Sequence, residues 1–261
     1  MSGVFGIVDT RREVDVERLL GAMGKAMTHR DWYVAETVAD VQHGVGLGRI
    51  GIGIFSREQQ PVCSEDQGTI VFLSGELYNT SGLRCDLEAG GHHFRDDSVL
   101  ELVLRLYQEK EERFVNDLEG AFVLAIWNRT RQELIIANDR FGRYPTFWAH
   151  YDGRLIFAPE MKGVLCDPDL HKDLNLTALA EYMRFQQVLG KKTFFEGIEL
   201  LPNASLLRYN VRTDRLTIEP YWSFSEISEV TVTFEEAVEE MGRLLRRAVN
   251  RLASGPYRVG V

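Results

Sequence analysis

The second residue, Ser2, is the first side chain of the sequence that could do covalent chemistry. If the initiator methionine is removed, Ser2 carries a free α-amino group beside its hydroxyl, and an amine so placed can take the proton of the nucleophile. The apolar segment Val4–Val8 follows at once and predicts a buried strand, not a secretory signal. Two interpretations stay open, a nucleophile with its own base and a small residue that merely precedes an edge strand. The first ten residues alone favour the second.

Two further patterns could bind a cofactor or a metal ion, and neither has the context that such a site needs. Gly46-x-Gly48-x-x-Gly51 matches a dinucleotide-binding fingerprint, but it lies within an alternating strand pattern and no helix follows to receive a phosphate. His92 and His93 are adjacent, so in a strand they would point to opposite faces, and no cysteine or carboxylate pair completes a site. We therefore predict neither a metal site nor a bound cofactor within these 261 residues.

The elements that must position Ser2 and its neighbours are predicted from the alternation of apolar residues. This alternation predicts two stacked antiparallel sheets built from Gly44–Phe55, Thr69–Ser74, Gly120–Trp127 and Glu133–Ala137, with a turn at Ser74-Gly75 after the second of them. A hairpin with Asp152-Gly153 at its tip is also predicted. Helical spacing predicts one helix around Met23 and another around Leu102, which should cover the outer faces of the sheets. The expected fold class is α+β.

The last forty or so residues differ in character from the rest. Thr233 and Glu236 form a capping box, and apolar residues at helical spacing predict an uninterrupted amphipathic helix over Phe234–Leu252. Gly255 and Pro256 should end that helix, and the following Tyr257–Val261 has the pattern of a buried strand. We therefore expect a second α/β domain to begin in this tail and to be cut off after Val261.

Composition and charge narrow the possible partners. The formal net charge of −9 argues against nucleic acid or an anionic membrane as the main partner. No apolar run approaches the roughly 20 residues that would span a bilayer. Cys63, Cys85 and Cys166 are odd in number and widely spaced, which suits reduced thiols and predicts a cytoplasmic protein.

The order of several segments carries the most specific information in the sequence. After Ser2-Gly3 come MTHRD, GLGRIGI, QQPV, LSGELYN, GHHF, EGAFVLAIW, NDRFGRYP and FAPEMKGVL. Together these resemble the glutamine-hydrolysing domain of the asparagine synthetase family, a class II glutamine amidotransferase. The resemblance covers residues 1–222, and residues 223–261 resemble the first helix and strand of that family's ATP-pyrophosphatase-type synthetase domain.

This resemblance implies an N-terminal nucleophile hydrolase fold, a four-layer αββα sandwich, and a set of functions to go with it. Such a site binds glutamine, its nucleophile attacks the side-chain amide, and hydrogen-bond donors stabilise the oxyanion. The released ammonia then reaches the protein's own C-terminal synthetase domain, where an acyl-adenylate made with ATP and Mg²⁺ captures it. ATP and Mg²⁺ are therefore expected only for that missing domain, and a homodimer is possible.

The resemblance also assigns site residues, and three of them depart from the family pattern. Ser2 stands at the position of the Cys nucleophile, and Ser74, with Gly75, stands where an Asn supplies oxyanion and substrate donors. Arg49 and Glu76 match residues that bind glutamine, but Val99 stands where an Asp holds its α-ammonium. Asp96 or Asp97 could replace that Asp if the local register shifts.

Three functional hypotheses follow from these departures. The first is an ATP-dependent, amide-forming ligase of the asparagine synthetase family whose glutaminase chemistry is impaired, because a hydroxyl is less readily ionised than a thiol and an oxyanion donor is lost. The second is an active glutamine-hydrolysing asparagine synthetase that uses Ser2 as its nucleophile. The third is a non-catalytic module that binds a partner or a regulatory amino acid.

Overall fold

The structure, a computed structural model, describes residues 2–53 and 58–253, and all of its strands lie within the first 222 residues. In chain order the strands are β1 (Gly3–Asp9), β2 (Val34–Asp40), β3 (Val45–Gly51), β4 (Val62–Cys63), β5 (Thr69–Leu77), β6 (Gly120–Asn128), β7 (Glu133–Asn138), β8 (Phe147–Tyr151), β9 (Arg154–Ala158), β10 (Glu199–Leu200), β11 (Ser205–Asn210) and β12 (Arg215–Pro220). They form two six-stranded sheets, in the orders β10-β8-β9-β1-β3-β2 and β12-β11-β7-β6-β5-β4. The neighbouring strands pair antiparallel.

Two helices of the first 222 residues cover the outer faces of these sheets, as the sequence predicts. Along the chain the helices are α1 (Val16–Met27), α2 (Thr80–Ala89), α3 (Val99–Lys110), α4 (Met161–Val164), α5 (Leu176–Phe185) and, in the segment after residue 222, α6 (Phe234–Ala253). Met23 of α1 is buried in a cluster with Phe5 of the first sheet, and Leu102 of α3 is buried in another with Leu124 of the second. A third apolar cluster fills the space between the sheets. The resulting order of helix, sheet, sheet and helix confirms the predicted α+β sandwich.

One predicted element is wrong, and its correction bears on the site. The sequence predicts a turn at Ser74-Gly75, but β5 runs through both residues and keeps its pairing with β6, Gly75 lying opposite Phe122. Gly75 has φ +115°, and a Cβ there would lie 2.1 Å from the carbonyl oxygen of Ala121. The glycine therefore bends the strand and lets the two backbones approach closely, without ending the ladder.

Other boundaries differ less from those predicted. β3 ends at Gly51, so the predicted strand Gly44–Phe55 is shorter than expected, and its last two residues lie outside the described residues. The predicted hairpin joins β8 to β9, and Asp152 and Gly153 at its tip both have positive φ, as this kind of two-residue turn requires.

Residues Ser223–Val261 form a second unit, separate from Met1–Trp222. Its helix α6 confirms the predicted amphipathic helix, and the capping box is present, with the Glu236 N–H donating to Thr233 Oγ1 at 3.3 Å and the Thr233 N–H donating to Glu236 Oε2 at 2.8 Å. None of the residues of α6 is buried. The predicted helix end at Gly255-Pro256 and the strand Tyr257–Val261 lie outside the described residues. Among the residues that are described, no helix is long and apolar enough to cross a membrane.

Candidate active site

Ser2 immediately precedes β1, and Gly3, the first residue of β1, packs against Pro159. A Cβ on Gly3 would lie 2.5 Å from Cβ of Pro159, so only glycine fits beside Ser2. Ser2 itself is half-buried. Burial raises the pKa of the Tyr144 phenol, and a hydrogen bond with the Ser2 side chain offsets part of that rise. Ser2 and Tyr144 are thus direct neighbours, and the phenol is held in its neutral, hydrogen-bonding form.

Tyr144 also lies beside Gly75. A Cβ on Gly75 would be 2.9 Å from Cε2 of Tyr144, so the phenol ring packs directly against the bent part of β5. The predicted nucleophile position and one predicted oxyanion position therefore both lie next to Tyr144. Sequence reasoning gave no role to Tyr144, although it belongs to the NDRFGRYP segment.

Asp139 fixes the turn that carries Tyr144. Its buried carboxylate accepts hydrogen bonds from the backbone N–H groups of Phe122, Phe141 and Arg143, at 3.2, 2.9 and 3.1 Å. The Phe122 bond ties this turn to β6, the strand that pairs with Ser74 and Gly75. The positions of Tyr144 and of the bent strand are consequently coupled through one side chain.

Ser74 and Glu76 flank Gly75 on β5. Ile70 and Phe72 of this strand pack in the cluster between the sheets, and alternation gives Ser74 the same face. Ser74 is buried, whereas Glu76 is half-buried. Within residues 2–53 and 58–253 neither the Ser74 hydroxyl nor the Glu76 carboxylate has a hydrogen-bond or ion-pair partner. Burial raises the pKa of Glu76, so a cation or an N–H group of a ligand would stabilise its ionised form.

Arg49 lies on β3 of the opposite sheet. Leu47, two residues earlier, packs between the sheets, and Arg49 shares its face. The guanidinium is almost fully buried, and its Nε donates to Glu36 Oε2 at 2.9 Å while Nη2 lies 2.5 Å from the same oxygen. Glu36 is the residue directly opposite Arg49 on β2. The residue expected to hold a substrate carboxylate is thus paired with a carboxylate of this chain.

Val99, which stands where the resemblance expects an Asp, is an apolar residue at the start of α3. Its side chain packs against the apolar cluster beneath α3, and its N–H donates to Glu58 Oε1 at 3.5 Å. Burial, followed by the charge of Asp96, raises the pKa of Glu58, and the positive charge of Arg49 opposes this rise. Glu58 is therefore a carboxylate beside the start of α3 that also feels the charge of Arg49.

The two aspartates that could have replaced the missing charge are used elsewhere. Asp96 Oδ1 accepts from the Ser98 N–H at 2.8 Å, and the hydrogen bonds from Ser98 hold its pKa below the usual range. The Asp97 side chain is fully exposed and lies 3.5 Å from Arg84.

Gln60 links the two sides of the site, and sequence reasoning missed its role. Its buried side chain donates from Nε2 to the Leu73 carbonyl at 2.9 Å and accepts from the Leu73 N–H on Oε1, also at 2.9 Å. Its own N–H donates to Glu36 Oε1 at 2.9 Å. The QQPV segment could have drawn attention to Gln60, but its contacts depend on loop geometry that no periodicity reveals.

Two of the ordered sequence segments, MTHRD and FAPEMKGVL, meet near the start of β1. His29 Nε2 lies 2.9 Å from Glu160 Oε1, and Lys162 Nζ lies 3.1 Å from Glu160 Oε2. Glu160 follows Pro159, the residue that covers Gly3. These ion pairs therefore hold in place the segment around Pro159, which packs against Gly3 beside Ser2.

The sequence matches the glutamine amidotransferase domain family over residues 1–222. It is also similar to two asparagine synthetases (glutamine-hydrolyzing) of Bacillus subtilis strain 168. Asparagine synthetase 2 is 27% identical over 271 aligned residues, which cover 100% of this chain and 36% of the relative. Asparagine synthetase 3 is 30% identical over 256 residues, which cover 96% of this chain and 41% of the relative. The chain thus spans about two fifths of the length of these relatives.

The fold is similar to that of solved glutamine amidotransferases. Glutamine phosphoribosylpyrophosphate amidotransferase from B. subtilis, complexed with ADP and GMP, superposes with a TM-score of 0.59 at 16% identity, covering 85% of this chain and 49% of that one. A structure described as the allosteric regulatory enzyme of purine biosynthesis has a TM-score of 0.58, also at 16% identity and with the same coverage. At this level of identity the likeness identifies the four-layer fold alone.

Proposed function

The chain belongs to the glutamine amidotransferase domain family, with the fold of N-terminal nucleophile hydrolases, and from that premise we propose that it is the glutaminase-like part of an asparagine synthetase-type ligase whose glutamine hydrolysis is impaired. The ligase would form an amide from an acyl substrate in an ATP-dependent step. That part of the proposal is supported by the alignment with asparagine synthetase 2, which continues through residues 223–261, beyond the end of the family match.

The hydrolysis that this site would perform can be written from its own residues. After removal of Met1, the Ser2 oxygen would attack the side-chain carbonyl carbon of glutamine while the α-amine of Ser2 takes the hydroxyl proton. The backbone N–H of Gly75 and the hydroxyl of Ser74 would face the resulting oxyanion. Collapse of this intermediate would break the C–N bond, pass the proton from the α-amine to the leaving nitrogen and release ammonia. Water would then cleave the Ser2 ester to give glutamate.

Two departures from the family pattern weaken this sequence of steps, and they carry the proposal. Ser74 is a short side chain with a rotating hydroxyl, and loss of one oxyanion donor typically costs about 2.7–4 kcal/mol of transition-state stabilisation. Val99 packs into the apolar cluster of α3, so it leaves the α-ammonium of a bound glutamine without the carboxylate that the resemblance leads one to expect. An alcohol nucleophile in place of a thiol adds to both losses.

ATP and Mg²⁺ belong, on this proposal, to the synthetase domain, where ATP would activate the acyl group. Within the described ranges no group of three or more His, Cys, Asp or Glu side chains is placed to hold a metal ion, so no residue here is assigned to Mg²⁺. The partner of residues 1–222 would be the protein's own C-terminal synthetase domain, and the ligase would act in the cytoplasm.

Glutamate release from glutamine by the purified protein tests the proposal. The wild type and Ser2→Cys should both turn over slowly, whereas the triple variant Ser2→Cys, Ser74→Asn, Val99→Asp should gain at least about a hundredfold, the scale of one restored oxyanion donor. The double variant Ser74→Asn, Val99→Asp, which keeps Ser2, is the matched control for the nucleophile. Robust wild-type turnover that is lost in Ser2→Ala would contradict impaired catalysis.

One contact favours the second candidate, a working glutaminase with Ser2 as nucleophile. The Tyr144 phenol is hydrogen-bonded with Ser2 and lies beside Gly75, so it could donate to the oxyanion in place of the missing Asn. On this alternative Tyr144→Phe would abolish a substantial wild-type activity, and on the first proposal there is little activity to abolish. The same assay therefore separates the two candidates.

A further inference from the structure

The most specific unassigned interaction in the site is the pairing of Arg49 with Glu36. Both Nε and Nη2 of Arg49 engage one oxygen of Glu36, at 2.9 and 2.5 Å. The side chains are 5% and 16% exposed, so the pair is largely withdrawn from water. Screening by solvent is weak at such a position, and the two groups satisfy each other's charge.

Glu36 is also held at its other oxygen. Oε1 accepts the N–H of Gln60 at 2.9 Å, and the side chain of Gln60 brackets both backbone groups of Leu73. Leu73 immediately precedes Ser74. Three segments, β2, the chain around Gln60 and β5, thus keep Glu36 in one orientation, and its place against Arg49 is a built feature of the pocket and not a chance surface contact.

This pairing has a consequence for ligands. A ligand carboxylate that uses the Nε and Nη2 edge of Arg49 must displace Glu36, because one carboxylate already occupies those donors. Displacement would leave Glu36 charged and buried without its cation, and the ligand carboxylate would lie beside a like charge. On the β5 side, by contrast, the Glu76 carboxylate has no partner among the described residues and would receive a ligand ammonium or amide N–H without such competition.

We propose that Glu36 is a specificity-determining residue that occupies the carboxylate subsite of Arg49 and excludes the α-carboxylate of free amino acids from this pocket. The proposal rests on the proposed function only in taking Arg49 as the carboxylate-binding residue of a glutamine-type site. It names the ligands that remain acceptable, which are amines and amides without an α-carboxylate. It also predicts that glutamine binds weakly because of Glu36, independently of the substitutions at positions 2, 74 and 99.

The decisive variant is Glu36→Gln. A glutamine side chain has the same shape and can keep its Oε1 as acceptor for the Gln60 N–H, but its NH₂ group cannot accept from Arg49. The Nε and Nη2 edge of Arg49 would then be open to the carboxylate of a ligand, while the hydrogen bond from Gln60 stays intact. Glu36→Ala removes both contacts and serves as the second variant. Glu181→Gln, which breaks an ion pair with Lys192 of 2.9 Å on α5, is the matched control.

Binding is measured by calorimetry in the Ser2→Ala background, so that no ligand is consumed, with L-glutamine and its α-carboxamide as the two probes. Glu36→Gln should raise the affinity for L-glutamine about tenfold or more, the scale of one hydrogen bond to a charged group. The affinity for the α-carboxamide should change by less than about twofold, since that probe has no carboxylate for Arg49. Glu181→Gln should change neither affinity.

Two results would overturn the proposal. An equal gain for both probes would mean that Glu36 acts only through pocket shape, and no gain in either folded Glu36 variant would mean that Arg49 is not blocked. Because binding is measured without turnover, neither result depends on the glutaminase assay. Active hydrolysis of L-glutamine by the wild type would overturn both proposals, whereas slow hydrolysis with no gain in affinity in either Glu36 variant would overturn only this one.

Discussion

The two sides of the candidate pocket differ in how completely their polar groups are satisfied. On the β3 side, Arg49 is paired with Glu36, and Glu36 is in turn bound by Gln60. On the β5 side, the Ser74 hydroxyl and the Glu76 carboxylate have no partner within the described ranges. Buried polar groups are normally hydrogen-bonded, so the first side contributes to the stability of the fold, whereas the second remains available to a ligand.

The backbone of the candidate site and its side chains differ in how closely they follow the site that the resemblance leads us to expect. Gly3 and Gly75 are positions where an added Cβ would clash with neighbouring atoms, so the backbone at both depends on glycine. According to the resemblance, the side chains at positions 2, 74 and 99 differ from those of the family. On the proposed function, the backbone thus keeps its form around a site whose reacting groups have been replaced.

The largest effect should come from breaking the frame on the β5 side. Gly75→Ala places a Cβ at φ +115° and 2.1 Å from the Ala121 carbonyl oxygen. Backbone strain and overpacking each cost about 1–3 kcal/mol, so we expect a loss of about 3–5 kcal/mol in the free energy of unfolding. Urea denaturation followed by circular dichroism measures it.

Gly82→Ala is the control for that substitution. Gly82 lies in the exposed part of α2, and a Cβ there meets nothing within 4 Å. Alanine at such a helical position should stabilise by up to about 1 kcal/mol. A loss at Gly75 no larger than ordinary surface effects would show that β5 can relax around the added methyl group, and the rigid frame would be disproved.

A smaller effect should come from breaking the ion pair on the β3 side. Among the residues that the structure describes, Arg49→Ala leaves the Glu36 carboxylate with the Gln60 N–H alone, and it should cost about 1.5–3 kcal/mol, the scale of a hydrogen bond to a charged group. In the double variant Arg49→Ala, Glu36→Gln part of this loss should be recovered, because no uncompensated charge remains. Thermal unfolding of the two single variants and the double variant gives the coupling directly.

If the losses of the two single substitutions simply add in the double variant, Arg49 and Glu36 do not stabilise each other, and the contrast between the two sides of the pocket fails. Positive coupling of about 1 kcal/mol or more would instead sharpen it. Ser74→Ala, on the other side, provides the reference for a polar group without a partner and should cost little.

The fold was largely predictable because its signals are local and repeated. Alternation predicts the strands, the spacing of Val16, Leu20 and Met23 predicts α1, and each of these residues is buried. The same 3–4 spacing predicts α6 equally well, yet none of its residues is buried. An amphipathic pattern thus specifies a helix with an apolar face, but it carries no information about what covers that face.

The candidate site was predictable only in part. The resemblance assigns Ser2, Arg49 and Glu76 because their segments keep their order, and these assignments stay predictions until activity is measured. The pairing of Arg49 with Glu36 could not be foreseen, since it depends on the register of β2 against β3. The strand that continues through Gly75 was missed because glycine after serine favours a turn locally, whereas cross-strand pairing overrides that preference.

The smallest expected effect is the pH dependence that the lone carboxylate of the β5 side should confer. Burial raises the pKa of Glu76 above its ordinary value of about 4.5, so the folded state holds its proton more tightly than the unfolded state does. The stability associated with protonated Glu76 is complete below the unfolded value and is lost as the pH rises through the folded pKa. Glu76→Gln removes this loss. Its free energy of unfolding should therefore rise above that of the wild type between about pH 4 and neutrality, by no more than about 0.5 kcal/mol, the usual scale of such substitutions.

Chemical denaturation at several pH values measures this difference in stability, with Glu101→Gln as a control of opposite sign. There burial raises the pKa, but hydrogen bonds from Arg95 and Arg105 outweigh it, so the net shift is downward. The advantage of the wild type over Glu101→Gln should consequently shrink as the pH falls. A gap for Glu76→Gln that does not change with pH would mean that the pKa of this carboxylate is the same in the folded and unfolded states, and the contrast between the two sides of the pocket would fail.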